Sequence, residues 1–299
     1  MEREDRTILV TGATGRQGHS TVRYLREAGW RVRALTRFPD APEAQDIHVM
    51  GAEVFEGDLD NPDSVKEALT DVYGVFSVLT FLEEGVPGEV NQGFNLAEEA
   101  KRAGVEHFIY SSMGGADRRT GIPHFESKRA IENHIISLNL PYTFLRPAFF
   151  MENFNVLKTC RSIQDGKLFF PMPPDKPLQM IALDDIGFFA AMAFDRPELM
   201  IGKGVELAGD ELTMVQISEM FSRALGRDVE FVQMPFEEAE RLGHGYRKMF
   251  EWFAKKGYQA DIDRLRGMHP SMLTFEAWLN SGYWIGTSSK KKVMEGVRA

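Results

Sequence analysis

Short apolar runs alternate with helical patterns through the first 150 residues of the chain. The run at 74–79 is almost continuously apolar, which is typical of a parallel strand that is covered on both faces. This alternation predicts an α/β fold with a parallel, doubly wound sheet and right-handed crossovers. The predicted strands are 8–10, 31–35, 52–55, 74–79, 107–111 and 142–146, and the predicted helices are 20–28, 62–69, 90–103 and 125–138.

The pattern changes beyond Pro147, where prolines and phenylalanines interrupt the regular alternation. The Pro-rich stretch 167–178 predicts a loop near the carboxyl edge of the sheet. Helical patterns follow at 183–194, 214–225, 236–242, 246–256 and 273–279, with a strand at 229–233. We therefore expect a first domain at 1–150, a smaller, mostly helical C-terminal subdomain for a substrate or partner at 151–286, and a flexible tail at 287–299.

A glycine-rich turn, TGATGRQG at residues 11–18, follows the first predicted strand directly and opens the first helical pattern. Gly12 suits a turn that needs a positive φ, Gly15 lets the backbone approach a pyrophosphate, and Gly18 lets the helix lie close to the strand. The free N–H groups of that helix then face the anion. An ordinary tight turn is the alternative, but the strand–turn–helix context favours a dinucleotide-binding domain of the Rossmann class. The residues of this turn expected to bind the cofactor are Gly12, Thr14, Gly15, Arg16, Gln17 and Gly18.

Composition narrows the choice of partners. The chain has 299 residues, with 35 Lys and Arg against 44 Asp and Glu, and its net charge of −9 argues against nucleic acid or an anionic membrane. The basic run 290–292 is too small an electrostatic footprint to change this. The single cysteine, Cys160, predicts a buried thiol, and no apolar run reaches about 18 residues. We expect a soluble, cytoplasmic protein without a metal site.

The residues after the second, third and fourth predicted strands bear on the choice of cofactor. The second strand is followed by Arg37 and by no acid for a ribose 2′-hydroxyl, so NADP(H) is preferred and NAD(H) stays possible; a solvated surface arginine is the alternative. Asp58 is placed to accept a hydrogen bond from the adenine amino group, or to end its strand as a plain turn. Leu79, Thr80 and Phe81 should flank the nicotinamide half, because ligands sit outside the carboxyl ends of such strands.

Together these motifs resemble the NmrA-like branch of the atypical short-chain dehydrogenase/reductase superfamily, which includes NADPH-sensor proteins. The matching stretches are TGATGRQG at 11–18, TR at 36–37, GD at 57–58, HFESK at 124–128, RP at 146–147 and FMENF at 150–154, and the resemblance covers roughly residues 5–285. It implies that Lys128 binds the nicotinamide ribose. It also implies that Phe150, Glu152 and Asn153 lie beside the nicotinamide end of the cofactor.

The catalytic pair of the superfamily is incomplete in this chain. Classical members reduce carbonyls with a Tyr-x-x-x-Lys pair, in which the lysine lowers the pKa of the tyrosine so that its phenol can pass a proton. The residue four positions before Lys128 is His124, so the standard acid is absent. Ser111 and Ser112 stand where the superfamily has its catalytic serine, or in a plain strand-end turn.

Two functional hypotheses remain open. In the first, the protein is a redox sensor or regulator that reads NADP(H) and passes its state to a protein partner, and His124 has no chemical role. In the second, it is an NADPH-dependent reductase of a small carbonyl, quinone or similar acceptor, and His124, Lys128 or a water is the proton donor. The second would place in an apolar pocket residues that otherwise form plain core: Phe149, Phe150, Met151, Phe169, Phe170, Met172, Phe250 and Trp252.

Overall fold

A computed structural model describes residues 3–286 of the chain. The predicted tail at 287–299, with its basic run, lies outside the described residues. Within the described part, no helix has both the length and the apolar character needed to cross a membrane.

Strands and helices alternate as far as Pro147, and the predicted α/β class is confirmed. The strands are β1 Thr7–Val10, β2 Arg31–Thr36, β3 Glu53–Glu56, β4 Val72–Val78, β5 His107–Ser111 and β6 Tyr142–Pro147. The helices are α1 Arg16–Glu27, α2 Pro42–Val49, α3 Pro62–Ala68, α4 Gly85–Ala103 and α5 Pro123–Ser137.

The second half of the described chain contains shorter elements of both kinds. Its strands are β7 Phe149–Phe150, β8 Lys167–Phe170, β9 Pro177–Ile181, β10 Lys203–Leu207, β11 Asp210–Thr213 and β12 Glu230–Gln233. Its α-helices are α6 Leu157–Gln164, α7 Leu183–Asp195, α8 Pro197–Met200, α9 Met214–Leu225, α10 Tyr246–Lys255, α11 Ile262–Met268 and α12 Phe275–Asn280. Short 3₁₀ helices occupy Arg3–Asp5, Ala116–Arg118, Met151–Asn155 and Phe236–Leu242.

The first six strands belong to a seven-stranded sheet with the order β10-β6-β5-β4-β1-β2-β3. Each neighbouring pair from β6 to β3 is parallel. The chain runs outward from β1 in one direction through β2 and β3, and in the other through β4, β5 and β6. The strand order therefore reverses at β1 and β4, and in such sheets ligands bind outside the carboxyl ends of the strands at that point.

The described chain divides into two compact units. The first comprises residues 3–147 and 183–206, and the second comprises 148–182 and 207–286. Residues 183–206 belong to the first unit because α7 packs along α1. Gly187 allows this approach, since a Cβ atom there would lie 2.5 Å from Ser20 Oγ. The second unit holds a three-stranded sheet, β11-β9-β7, and a two-stranded sheet, β12-β8.

The prediction of a loop at 167–178 is right for 171–176 and wrong at both ends, where β8 occupies 167–170 and β9 begins at Pro177. Strand β8 pairs in parallel with β12, and β9 pairs antiparallel with β11. The prolines fall between these strands or at the first position of β9, where they cost no ladder hydrogen bond inside a strand. The short helix α2 was not predicted, because its buried stripe consists of only Ala44 and Ile47.

We expect Gly18→Ala to destabilise the protein by about 1–3 kcal/mol, the usual cost of overpacking. A Cβ atom at Gly18 would lie 2.1 Å from Gly12 O and 2.6 Å from Gly12 C, so α1 would have to move away from the turn. The measurement is the free energy of unfolding from denaturant titration. Gly267→Ala, in α11, is the control: nothing lies within 4 Å of its Cβ, so stability should stay the same or rise by up to about 1 kcal/mol. Equal stability of the two variants would contradict this packing.

Candidate functional site

The glycine-rich turn is held against the end of β4. Gly12 has φ +58° and lies so close to β4 that a Cβ atom would be 3.3 Å from Val78 O. The Thr11 hydroxyl donates to Val78 O and accepts from Val78 N, both at 2.9 Å. Gly15 is exposed, and Gly12 O at 3.2 Å is the one atom that its Cβ would meet within 4 Å. The turn therefore presents an open backbone at the amino end of α1, as the spacing of the glycines predicted.

The side chains of the turn point in different directions. Arg16 is exposed and Thr14 is half-buried, so both are accessible to a ligand. Gln17 is buried, and its side-chain amide donates to Ser111 Oγ at the end of β5. Gln17 can therefore contribute its backbone to a ligand site while its side chain fixes α1 to the sheet. The Ser112 hydroxyl is also buried.

The residues after β2 and β3 already have polar partners within the protein. Arg37 is exposed, forms an ion pair with Glu83, and has its guanidinium carbon 5.5 Å from the centre of the Phe38 ring. Asp58 is half-buried, and its Oδ1 accepts from the backbone N–H of Asp60 at 3.0 Å. This hydrogen bond is the one expected if Asp58 closes a turn at the end of its strand. Binding of adenine by its other oxygen stays a prediction.

The segment after β4 contacts the start of α5. Leu79 is buried and Thr80 is exposed, with Thr80 Oγ1 accepting from the N–H of Leu82 at 3.1 Å. The Phe81 ring stacks on the imidazole of His124, with 4.8 Å between ring centres and 21° between the planes. The structure therefore brings the predicted nicotinamide-side residues of the first unit together.

Lys128 is buried and held by two oxygen atoms. Its Nζ lies 2.8 Å from Glu89 Oε1 and donates to Leu79 O at 2.9 Å. The other carboxylate oxygen, Glu89 Oε2, accepts from the Ser127 hydroxyl. Glu89 is itself 0% exposed, so the pair is a buried ion pair in which loss of either charge would leave the other uncompensated.

Sequence reasoning missed Glu89, which lies one residue before the predicted helix at 90–103. Because α4 begins at Gly85, Glu89 falls on the buried stripe of that helix. The stripe continues at helical spacing through Gly93, Leu96, Ala97 and Ala100. A carboxylate within a mostly apolar stripe points to a buried cation, but Glu89 joins the stripe only once the start of the helix is placed correctly.

His124 is buried and uncharged at neutral pH. Burial lowers the pKa of its imidazole from 6.5 to about 4; the carboxylate of Glu89 opposes this shift and the ammonium of Lys128 adds to it. An imidazolium is a good proton donor, whereas a neutral imidazole N–H is a very weak one. With this pKa, the His124 imidazole is in its neutral form at neutral pH, which is the form less suited to donating a proton.

A tyrosine does lie beside Lys128, but in the core of the sheet. The Lys128 Nζ atom is 5.4 Å from the centre of the Tyr110 ring, and Tyr110 is 0% exposed. Burial raises the pKa of its phenol well above 10, with Glu89 and Glu132 raising it further. In a Tyr-x-x-x-Lys pair the lysine has the opposite effect, so the Tyr110 phenol is a poor proton donor.

The remaining predicted residues belong to the second unit. Phe150 and Asn153 are half-buried, while Glu152 is buried and accepts from the indole N–H of Trp278 at 2.9 Å. Three of the residues that the reductase hypothesis places in an apolar pocket pack on one another: Phe170 contacts Phe149 and Phe250, with ring centres 5.7 and 5.2 Å apart. Phe169, by contrast, is exposed. Cys160 is a buried free thiol, as predicted.

Comparisons with known proteins agree on one family. A model of the NmrA-like family matches residues 4–279. The nitrogen metabolite repression protein nmrA of Emericella nidulans is 31% identical over 265 residues, 84% of this chain and 75% of that protein. The NAD(P)H azoreductase of Xenophilus azovorans is 30% identical over 240 residues, 80% of each chain. Crystal structures of NmrA, a negative transcriptional regulator, align at 25% identity with NAD bound (TM-score 0.80, 99% of both chains) and with NADP bound (0.78, 98% of both).

We expect His124 to make the stability of the protein depend on pH. Its pKa is about 4 in the folded protein and about 6.5 when unfolded, so between these values the unfolded chain binds more protons. The contribution is complete above pH 6.5 and is lost as pH falls toward 4. His124→Phe should therefore flatten the fall in unfolding free energy across this window, whereas His48→Gln, on the exposed face of α2, should not. Parallel curves for wild type and His124→Phe would contradict the assignment.

Proposed function

The chain belongs to the NmrA-like family, and from that premise we propose that it binds NADP(H) and works as a redox sensor or regulator. The family includes a regulator, NmrA, whose crystal structures hold NAD in one case and NADP in another. The open backbone at Gly15 and the amino end of α1 support binding of a dinucleotide here. Thr14, Arg16 and the backbone of Gln17 complete that phosphate site.

The uncharged state of His124 carries the proposal that the protein regulates rather than reduces. Hydride transfer to a carbonyl needs a group that gives a proton to the developing alkoxide. His124 occupies the position of the superfamily's tyrosine, and burial holds its pKa at about 4. Lys128 is engaged by Glu89 and by Leu79 O, and the tyrosine beside it, Tyr110, is buried with a pKa well above 10. A cofactor bound here would act as a ligand and would not transfer its hydride.

Lys128 keeps a role in either case. An ammonium has three donors, of which the structure engages two, and the third is available for a ribose hydroxyl. Phe81 and His124 form a stacked, uncharged surface beside it, on which a nicotinamide ring would rest. Phe150, Glu152 and Asn153 of the second unit stay candidate cofactor-binding residues on the family resemblance alone.

A reductase is the second candidate, favoured by one specific observation. The azoreductase of Xenophilus azovorans is 30% identical to this chain, about as similar as the nitrogen metabolite repression protein at 31%. If this chain also reduces an acceptor, the proton must come from water or from the acceptor's own surroundings. Turnover is therefore the measurement that separates the two candidates.

We expect Arg37→Ala to weaken binding of NADPH more than binding of NADH, because only NADPH carries the 2′-phosphate. A charge-assisted contact of this kind is worth roughly 1.5–3 kcal/mol, or about 10- to 150-fold in affinity. Calorimetric titration of both cofactors measures it. Arg31→Ala removes the same charge at the opposite end of β2 and should leave the NADPH to NADH ratio unchanged. Equal losses for both cofactors in Arg37→Ala would reject this assignment.

We expect little or no acceptor-dependent oxidation of NADPH by the wild-type protein, because the pKa values of His124 and Tyr110 suit neither for donating a proton. The test is NADPH consumption against a panel of carbonyls, quinones and azo compounds, compared in wild type and His124→Ala. Removal of a true proton donor costs about 10²–10⁴-fold in rate. Wild-type turnover that collapses in His124→Ala would establish the reductase instead.

The lysine variant needs a partner substitution to be informative. Lys128→Ala alone leaves Glu89 as an uncompensated buried charge, which typically costs about 3–5 kcal/mol of stability. The double variant Lys128→Ala with Glu89→Gln removes both charges and retains an oxygen that accepts from Ser127. It should stay folded and bind NADPH more weakly than wild type. Undiminished affinity would remove Lys128 from the cofactor site.

A further inference from the structure

The Arg37 guanidinium already holds a carboxylate. Its Nη2 atom pairs with Oε2 of Glu83, which lies 46 residues further along the chain. The side chains of Arg37 and Glu83 are 39% and 55% exposed, so the pair lies at the surface, where a ligand can reach it. A 2′-phosphate that binds Arg37 must therefore compete with this carboxylate for the same donors.

Glu83 reaches this place from the segment that follows β4. In sheets of this class, an acid at the end of the second strand accepts from the ribose 2′-hydroxyl of NAD, and a cation nearby accommodates the 2′-phosphate of NADP. The end of β2 provides only the cation in sequence. In the folded protein, the Glu83 carboxylate lies beside the Arg37 guanidinium and supplies the acid that the end of β2 lacks. A group that favours NAD and a group that favours NADP are therefore adjacent.

We propose that Glu83 is a specificity-determining residue that lowers the preference for NADP(H) over NAD(H) by occupying Arg37. The inference rests on the proposed function, because it takes Arg37 as the ligand of the 2′-phosphate. When NADP(H) binds, Arg37 exchanges the carboxylate for the phosphate, and Glu83 is left beside a second anion. When NAD(H) binds, the pair stays intact and nothing is exchanged.

The size of the effect follows from the exposure of the pair. Exposed ion pairs are weak, and breaking one changes an equilibrium by no more than about fivefold. Repulsion between the released carboxylate and the phosphate adds to this, reduced by the surrounding water and salt. Glu83→Gln should therefore raise NADPH affinity by about 3- to 10-fold and leave NADH affinity within about twofold.

The experiment compares Glu83→Gln with Glu84→Gln by titration of each protein with NADPH and with NADH. Glu84 is the neighbouring exposed glutamate, so its substitution makes the same change in net charge one residue away. Glu83→Gln should raise the NADPH to NADH affinity ratio, and Glu84→Gln should not. In an Arg37→Ala background, Glu83→Gln should change NADPH affinity by less than about twofold, because the guanidinium for which Glu83 and the 2′-phosphate compete is no longer there.

Three results would overturn the proposal. The first is an unchanged NADPH to NADH affinity ratio in Glu83→Gln, and the second is an equal rise of this ratio in Glu84→Gln. The third is a gain in NADPH affinity from Glu83→Gln that is just as large in the Arg37→Ala background. The same titrations also distinguish a failure of this inference from a failure of the proposed function. If Arg37→Ala weakens NADPH selectively and Glu83→Gln changes nothing, only the role of Glu83 fails. If wild type does not bind NADPH, or Arg37→Ala affects both cofactors equally, the underlying assignment fails as well.

Discussion

The close approach of the glycine-rich turn to the end of β4 is the constraint on which the first unit depends. Gly12 passes 3.3 Å from Val78 O, and Gly18 leaves no room for a Cβ atom against Gly12. Thr11 adds two hydrogen bonds to the backbone of Val78. This contact fixes where α1 begins, next to the carboxyl ends of β1 and β4. The topology reverses at the same strands, so one packing contact defines both the sheet's centre and the candidate phosphate site.

Burial then determines what chemistry the neighbouring residues can perform. Glu89 and Lys128 neutralise each other in the core between α4 and α5, and Lys128 is positioned by Leu79 O rather than by a tyrosine. The same low-polarity surroundings keep His124 neutral. Under the proposed function, these surroundings would suit the binding of a cofactor better than the transfer of a proton.

The sequence predicted the six parallel strands within one or two residues. The central strands β1 and β4 are nearly continuous apolar runs, as strands covered on both faces are. The second unit was harder, because prolines next to β9 hid its strands. In the first unit, the short helix α2 was missed because it buries only Ala44 and Ile47. The glycine-rich turn could be predicted because its geometry is local. Glu83 and Glu89 could not, since their roles depend on contacts with Arg37 and Lys128 that lie 46 and 39 positions away (128 − 89) and exist only in the folded chain.

The segment 79–83 is what joins the two ends of the candidate cofactor site. Leu79 O holds Lys128, Phe81 stacks on His124, and Glu83 pairs with Arg37, so five consecutive residues contact both the nicotinamide side and the 2′-phosphate side. A ligand regulates a protein only if it binds two conformations with different affinity. Under the proposed function, a 2′-phosphate that took Arg37 from Glu83 would remove one of these three contacts, whereas NAD(H) would leave all three in place. Binding of NADP(H) would then act on a backbone segment that leads directly into α4.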